Sequence, residues 1–427
     1  MSDDYGYPLV PLHQVARRIT DGSHFSPTPR EHGPLIANVK DMKAGAIDFS
    51  TCTRISPSAY RELKATGCTI KNGNVLLSKD GTVGRVLVYR QDDEIGALSS
   101  ICIIEPTDRL DAAFLGQALQ SEGCTRQYDN FMSGSALRRL VLRDIRSIQV
   151  PLPDSEHQRA IAQVLDTLDT AIHETEAIIA KLKAVKQGLL HDLLTRGIAA
   201  NGELRPPQAE APQLYKDSPL GWIPKEWALS TVGAQFEIQL GKMLDGQKNT
   251  GILKPYVGNK AVQWDRIDLN EVQQVRLSRS DLNRFRLHKG DLLVCEGGDV
   301  GRAAIWNDEM DECYYQKALH RLRPLHGYHP RLMLEMLRYL MGRDALSEYV
   351  SKTSIAHLTQ EKLAAVPLPT PDVDEQQRLV AEVLAAKQRQ EAEESQLQKL
   401  SLLKAGLMDD LLTGRVRVTP LLEGGAA

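Results

Sequence analysis

The sequence lacks the basic surplus of a chain that grips nucleic acid unaided. Its 52 Lys and Arg are outnumbered by 55 Asp and Glu, a formal net charge of −3. Neutralising phosphates takes Lys and Arg, so the balance argues against a stand-alone, charge-driven binder. No apolar run reaches the roughly 18 residues of a membrane span. The opening MSDDYGYPLVPLH has no basic region followed by an apolar stretch, so no secretory signal is expected. Cys52, Cys68, Cys102, Cys124, Cys295 and Cys313 are scattered without a C-x-x-C pair, the pattern of reduced, mostly buried thiols in a cytoplasmic protein.

Catalytic motifs are missing too. The Pro-Pro pair Pro206-Pro207 is flanked by Arg205 and Gln208, not by the polar residue and aromatic ring with which an adenine methyltransferase grips a base. No Gly-x-Gly turn follows a strand pattern and no phosphate-binding G-x-x-x-x-G-K-[ST] loop occurs. Pro153-Asp154 and Pro371-Asp372 lack the acidic-x-Lys of a metal-dependent nuclease, and Cys313, His320, His326 and His329 fit no usual zinc spacing. Catalytic and metal-ligating residues are therefore expected to be absent.

What is present is a repeat. From Pro151 to Gly197, apolar residues fall on a 4-3 rhythm: Ile161, Leu165, Leu168, Ile172, Ile179, Leu182, Leu189 and Leu193, interrupted by Thr175 and Lys186. A seam of this kind predicts a helix packed lengthwise against another, and about 40 residues would span roughly 60 Å. A second stretch from Pro367 opens with the same Pro-Leu-Pro, repeats Glu-x-Gln-Arg and closes with the same Asp-Leu-Leu-Thr, offset by 216 to 219 residues. Its seam starts at Val380 and Leu384, turns polar over Lys387 to Gln396, and resumes at Leu397, Leu400, Leu407 and Leu411.

The segments before each helix also match. GNVLLSKDGTVGRVLVY (73–89) and GDLLVCEGGDVGRAAIW (290–306) align at an offset of 217, each predicting a hairpin. Residues 97–106 predict a strand, and 110–120 a helix whose place is taken by 329–340 in the second half. The fold class is α+β: two mixed α/β domains joined by two long antiparallel helices in a pseudo-two-fold internal repeat. Its boundaries are a domain over 1–150, a helix over 151–200, a polar Pro-rich linker over 201–218, a domain over 219–366, a helix over 367–416 and a tail over 417–427.

PLPDSEHQRAIAQVLD, PLPTPDVDEQQRLVAEVL and LLKAGLMDDLLTGRVRV resemble the shared helical regions of the DNA specificity subunits of type I restriction–modification systems. TDGSHFSP (20–27) and YVGNKAVQWDRIDL (256–269) resemble openings of their target recognition domains. The resemblance implies a non-catalytic chain whose two domains each read one half of a split double-stranded DNA site while the helices fix the gap. It implies two docked methyltransferase subunits carrying S-adenosylmethionine, and restriction–translocase subunits using ATP and Mg where a system has them. Two other readings stand beside it: the specificity half of a split methylase–nuclease, and a coiled-coil scaffold for proteins.

Base edges are read by Arg, Lys, Asn, Gln and short hydroxyls on loops or helix ends. That selects Ser23, His24, Lys79, Ser133, Ser135 and Arg138 in the first domain, and Lys242, Asn259, Lys260, Lys352, Thr353 and Ser354 in the second. The same residue types also serve as helix caps and solvated turns. Gly84, Arg85, Gly301 and Arg302 occur in both halves and are assigned to the fold, because a shared residue cannot distinguish two half-sites. Glu156, Gln158 and Arg159, with Glu375, Gln377 and Arg378, are read first as capping or bracing helix against domain, with contact to a methyltransferase subunit as the other reading.

Overall fold

The computed structural model describes residues 6–43, 45–132, 139–245, 249–343, 345–346, 349 and 357–418. The chain forms two compact units, one of residues 1–179 with 393–427 and the other of 180–392. This division cuts through both long helices, where the sequence pattern places boundaries at their ends.

In the first unit a four-stranded antiparallel sheet has the order Ala16–Asp21, Ile101–Pro106, Val75–Ser78, Val86–Val88. Period-two alternation gives it two apolar faces. Val75, Leu77, Cys102 and Ile104 face a core shared with the helix Ala112–Gln120 and the start of the first long helix. Leu76, Leu87, Ile101 and Ile103 face a small mixed sheet containing Leu35–Ala37 and Ile95–Ala97. All of Val75–Ser78 is buried, which is why it reads as a continuous apolar run.

The second unit repeats this order with Phe236–Leu240, Leu319–Pro324, Leu292–Cys295 and Ala303–Ile305. The helix Pro330–Gly342 takes the place of Ala112–Gln120.

Each long helix has 41 residues, Ser155–Thr195 and Val373–Thr413. Asp154 and Asp372 start them by accepting backbone N–H bonds from His157 (3.0 Å) and Glu375 (2.7 Å). Gly197 (φ 67°) and Gly414 (φ 75°) end them in the left-handed region. The helices run antiparallel within each unit: Ile161 and Leu165 share a core with Leu407 and Leu411, and Leu189 and Leu193 share one with Leu379 and Val383. Thr175 is buried and turns its hydroxyl back to the Ala171 carbonyl, while Lys186 meets Gln390 at 3.4 Å. Both interruptions thus stay within the seam.

Two expectations need correction. Leu384 is 36% exposed, and Val383, one position earlier, takes the seam position at 3%. The Pro-rich stretch after the first long helix is not a bare linker. Tyr215–Lys216 pairs with Ile223–Pro224, and Arg205 is 6% exposed where it forks onto the buried Glu375 carboxylate at 2.6 and 3.0 Å. A linker-like composition hides one fully paired charge that fastens the segment to the start of the second long helix.

Candidate nucleic-acid interface

Both units present a loop after the first strand of the four-stranded sheet. In the first, Gly22 lies so close to the small sheet that a Cβ would sit 2.3 Å from the Leu98 carbonyl oxygen. Ser23 N–H donates to the Ala97 carbonyl at 2.7 Å. In the second, Gly241 stands 2.3 Å by the same measure from the Gln316 carbonyl oxygen, and Lys242 N–H donates to Tyr315 at 2.9 Å. Glycine is required where backbones approach this closely. The same anchoring therefore displays Ser23-His24-Phe25 on one unit and Lys242-Met243-Leu244 on the other.

The predicted residues divide sharply. The Ser23 hydroxyl donates to the Phe25 carbonyl at 2.7 Å and accepts its N–H at 3.1 Å, so it shapes the loop. His24 is exposed, 3.3 Å from Asp21. Lys260 is exposed. Lys242 pairs with Asp281 at 2.8 Å, at the start of the helix Arg279–Arg284.

Lys79 is only 1% exposed, with its ammonium 3.4 Å from Asp21 and 3.5 Å from Asp80, so it is a buried strut and not a solvated turn residue. Asn259 is likewise spent on structure: its amide donates to the Gly297 carbonyl at 2.7 Å and its oxygen accepts from Arg302 at 3.0 Å. Ser133, Ser135, Arg138, Lys352, Thr353 and Ser354 lie outside the described residues.

Arg85 donates to the Met42 carbonyl at 2.6 Å and Arg302 to the Asn259 carbonyl at 3.0 Å. In both units this arginine ties the hairpin to the loop beside it. Sequence reasoning passed over Phe25, Met243 and Leu244, which are 72%, 61% and 40% exposed. Their signal was available: an apolar residue three positions after an anchoring glycine, Phe25 and Leu244 at an offset of 219, in both halves.

The brace between domain and helix is a pair of buried glutamines. Gln158 accepts the Asp111 N–H at 2.7 Å and donates to the carbonyls of Arg109 (3.0 Å) and Pro153 (2.8 Å). Gln376 accepts the His329 N–H at 2.8 Å and donates to the Pro371 carbonyl at 3.0 Å. Asp111 and His329 are the N-caps of the two matching domain helices. The partner of Gln158 is thus Gln376, not Gln377, because the helices align at an offset of 218. Glu156 is exposed while Glu375 is buried, so only the second of that pair acts as a brace.

Among the described residues no His, Cys, Asp and Glu group fits a metal ion, and no helix is long and apolar enough to cross a membrane.

A duplicated α+β domain, locked each time by a glutamine to a paired helix and displaying a different loop tip, defines a chain built to present two related but unequal surfaces. Residues 47–184 and 224–400 each match the type I restriction modification DNA specificity domain, and the chain belongs to that family. It is 21% identical over 303 residues to the MjaVIII specificity subunit of Methanocaldococcus jannaschii, covering 67% of each chain. It is 21% identical over 252 residues to the EcoKI specificity subunit of Escherichia coli K12, covering 58% of this chain and 48% of that one. The fold is shared with an S subunit from M. genitalium (TM-score 0.58, 15% identity, 96% of this chain and 97% of that one). It is also shared with a chain from a structure on complex assembly and conformational transition of the type I R-M system (TM-score 0.56, 18% identity, 96% and 98%).

Proposed function

We propose that this chain is the DNA sequence-specificity subunit of a type I restriction–modification system and is itself non-catalytic. Each domain reads one half of a bipartite double-stranded site, and the long helices set the unread gap and dock two methyltransferase subunits. The observation that carries this reading is one scaffold built twice with different tips, Ser23-His24-Phe25 and Lys242-Met243-Leu244, on identically anchored glycines. Conserving the scaffold while varying the tip is what reading two different half-sites requires.

With a net charge of −3, the chain makes few phosphate contacts of its own and gains most of its affinity from the docked subunits. S-adenosylmethionine belongs to those methyltransferase subunits, and ATP and Mg to restriction–translocase subunits that add to the complex. The cytoplasm, where the DNA lies and thiols stay reduced, is its place of action.

Exchanging residues 1–150 for the corresponding domain of a relative and mapping methylated adenines tests the reading. One half of the methylated motif should change and the other should persist. A change in both halves, or in neither, refutes it.

A further inference from the structure

The two units part company at one place where the repeat would make them alike. In the second unit the loop after the strand Ile252–Val257 carries Trp264 and Asp265. Asp265 donates its N–H to the Ala303 carbonyl at 2.9 Å, and its carboxylate takes Arg331 and, at 2.5 Å, Lys387 of the second long helix. The Arg338 guanidinium lies over the Trp264 ring, 5.2 Å from its centre, and the ring packs on the core. A tryptophan from the unit's own loop thus fills the angle between strand, domain helix and long helix.

At offsets of 217 and 218, the counterparts of Ala303, Arg331, Glu335, Arg338 and Lys387 are Val86, Ala113, Gln117, Gln120 and Asp169. All five line an open cavity of about 710 Å³ within the first unit. The loop there supplies Met42, Lys43 and Gly45 to the lining and no ring.

Gln117 lines this cavity although it is only 3% exposed. Its amide nitrogen donates to Asp166 and Asp169, both at 2.8 Å. Those carboxylates are completed by Arg90 at 2.6 Å and by Lys404 at 2.5 Å. The Gln117 carbonyl oxygen has no hydrogen-bond partner. Its counterpart Glu335 has both oxygens engaged, by Arg331 at 3.7 Å and Arg338 at 3.1 Å. A buried acceptor left without a donor is costly and calls for explanation.

We propose that this cavity is a docking pocket for a tryptophan side chain presented by one methyltransferase subunit. The proposal rests on the functional reading above and adds an asymmetry to it. An indole N–H is a donor only, which matches the buried carbonyl oxygen that Gln117 leaves without a partner, and its ring supplies the body that Trp264 supplies in the second unit. The volume lies within the range of ligand pockets and exceeds one side chain, so the tryptophan arrives on a segment of a partner. Buried tryptophans are common anchors of interfaces. The second unit holds its own tryptophan at this place, so one methyltransferase subunit gains an anchor that the other does not.

The test follows assembly with methyltransferase subunits by native mass spectrometry across a titration. The wild-type chain should bind two subunits in steps whose dissociation constants differ by about tenfold or more. Thr170→Trp places a ring in the cavity from an exposed helix position and should weaken the tighter step about tenfold, leaving the other unchanged. Gln117→Leu removes the acceptor, together with the amide donor that Asp166 and Asp169 share, and should act in the same direction. N-acetyl-tryptophanamide should compete with the tighter step in the wild type and not in Thr170→Trp. If Thr170→Trp fails to melt like the wild type, Gln117→Leu and the competition decide. Two steps unmoved by these changes overturn the pocket while leaving subunit docking intact. If no methyltransferase subunit binds the wild type, the functional reading falls instead. Binding of N-acetyl-tryptophanamide to the chain alone, lost in both variants, then still marks the pocket, and its absence removes it.

Discussion

Replacing Gln158 by Leu tests how the first domain is held to its helix. The leucine has nearly the glutamine's shape and none of its hydrogen bonds. Three backbone groups lose their partner: the Asp111 N–H and the carbonyls of Arg109 and Pro153. At about 1–1.5 kcal/mol for each buried group left unpaired, the cost is about 3–5 kcal/mol. Gln376→Leu strands two groups, the His329 N–H and the Pro371 carbonyl, and should cost about 2–3 kcal/mol by the same reasoning. A two-unit chain need not unfold in one step, so amide hydrogen exchange is the assay, read over Ala112–Gln120 and over Pro330–Gly342. Each substitution should speed exchange in its own helix, Gln158→Leu by more. Methylation mapping should then show each variant losing fidelity in a different half-site. An exchange change below about fivefold (roughly 1 kcal/mol) for Gln158→Leu would refute the brace, as would both variants degrading the same half.

Other consequences follow from single contacts. Glu375→Ala leaves the buried Arg205 with only the exposed Glu226 carboxylate and the Ile198 N–H with no partner, and should cost about 3 kcal/mol, whereas the double change Arg205→Met with Glu375→Leu should cost less; chemical denaturation of the two variants beside the wild type gives the order. His320 is fully buried, donates through Nε2 to the Leu358 carbonyl at 2.8 Å, and has no partner at Nδ1; burial holds its pKa below the ordinary histidine value. Its neutral form is favoured by folding, so its contribution is complete above about pH 6.5 and falls as pH drops toward the lowered value, by at most about 1.4 kcal/mol per pH unit. His320→Cys, which installs the residue found at the matching position 102, should flatten the fall in exchange protection of the second unit between pH 7.5 and about 5.5; an unchanged slope would exclude this histidine as its source. Lys260→Ala should weaken DNA binding of the assembled complex by about 1–3 kcal/mol and relax specificity at one position of one half-site, measured by titration against single-base variants of the site; an equal loss on all sites with a lower salt slope would assign the lysine to phosphate instead.

Much of the fold was legible because it is written twice. Gly84-Arg85 and Gly301-Arg302 stand 217 residues apart, and the arginines do the same job in both units. The heptad rhythm found the seam of the first helix even at Thr175 and Lys186, since burial follows helix geometry whatever the side chain. The display loops were legible less well. Lys79 reads as a surface lysine in a Gly-flanked turn until Asp21, 58 positions away, is seen beside it. Arg205 sits in a stretch with the composition of a linker, and its partner Glu375 is 170 residues on. Such pairings are made by tertiary approach, which local pattern does not encode. Gln376 was missed because the Glu-x-Gln-Arg match aligns the motif one residue out of the helical register.

The measurement closest to the central claim is the gap between the two methylated half-sites after the first long helix is lengthened. A second copy of Ala177-Ile178-Ile179-Ala180 inserted in that helix adds about 6 Å along its axis, with roughly 40° of rotation that the seam absorbs by local unwinding. If the helix carries the register, both half-sites keep their sequence and the unread gap grows by about two base pairs at 3.4 Å each. An unchanged gap at full activity would contradict the account.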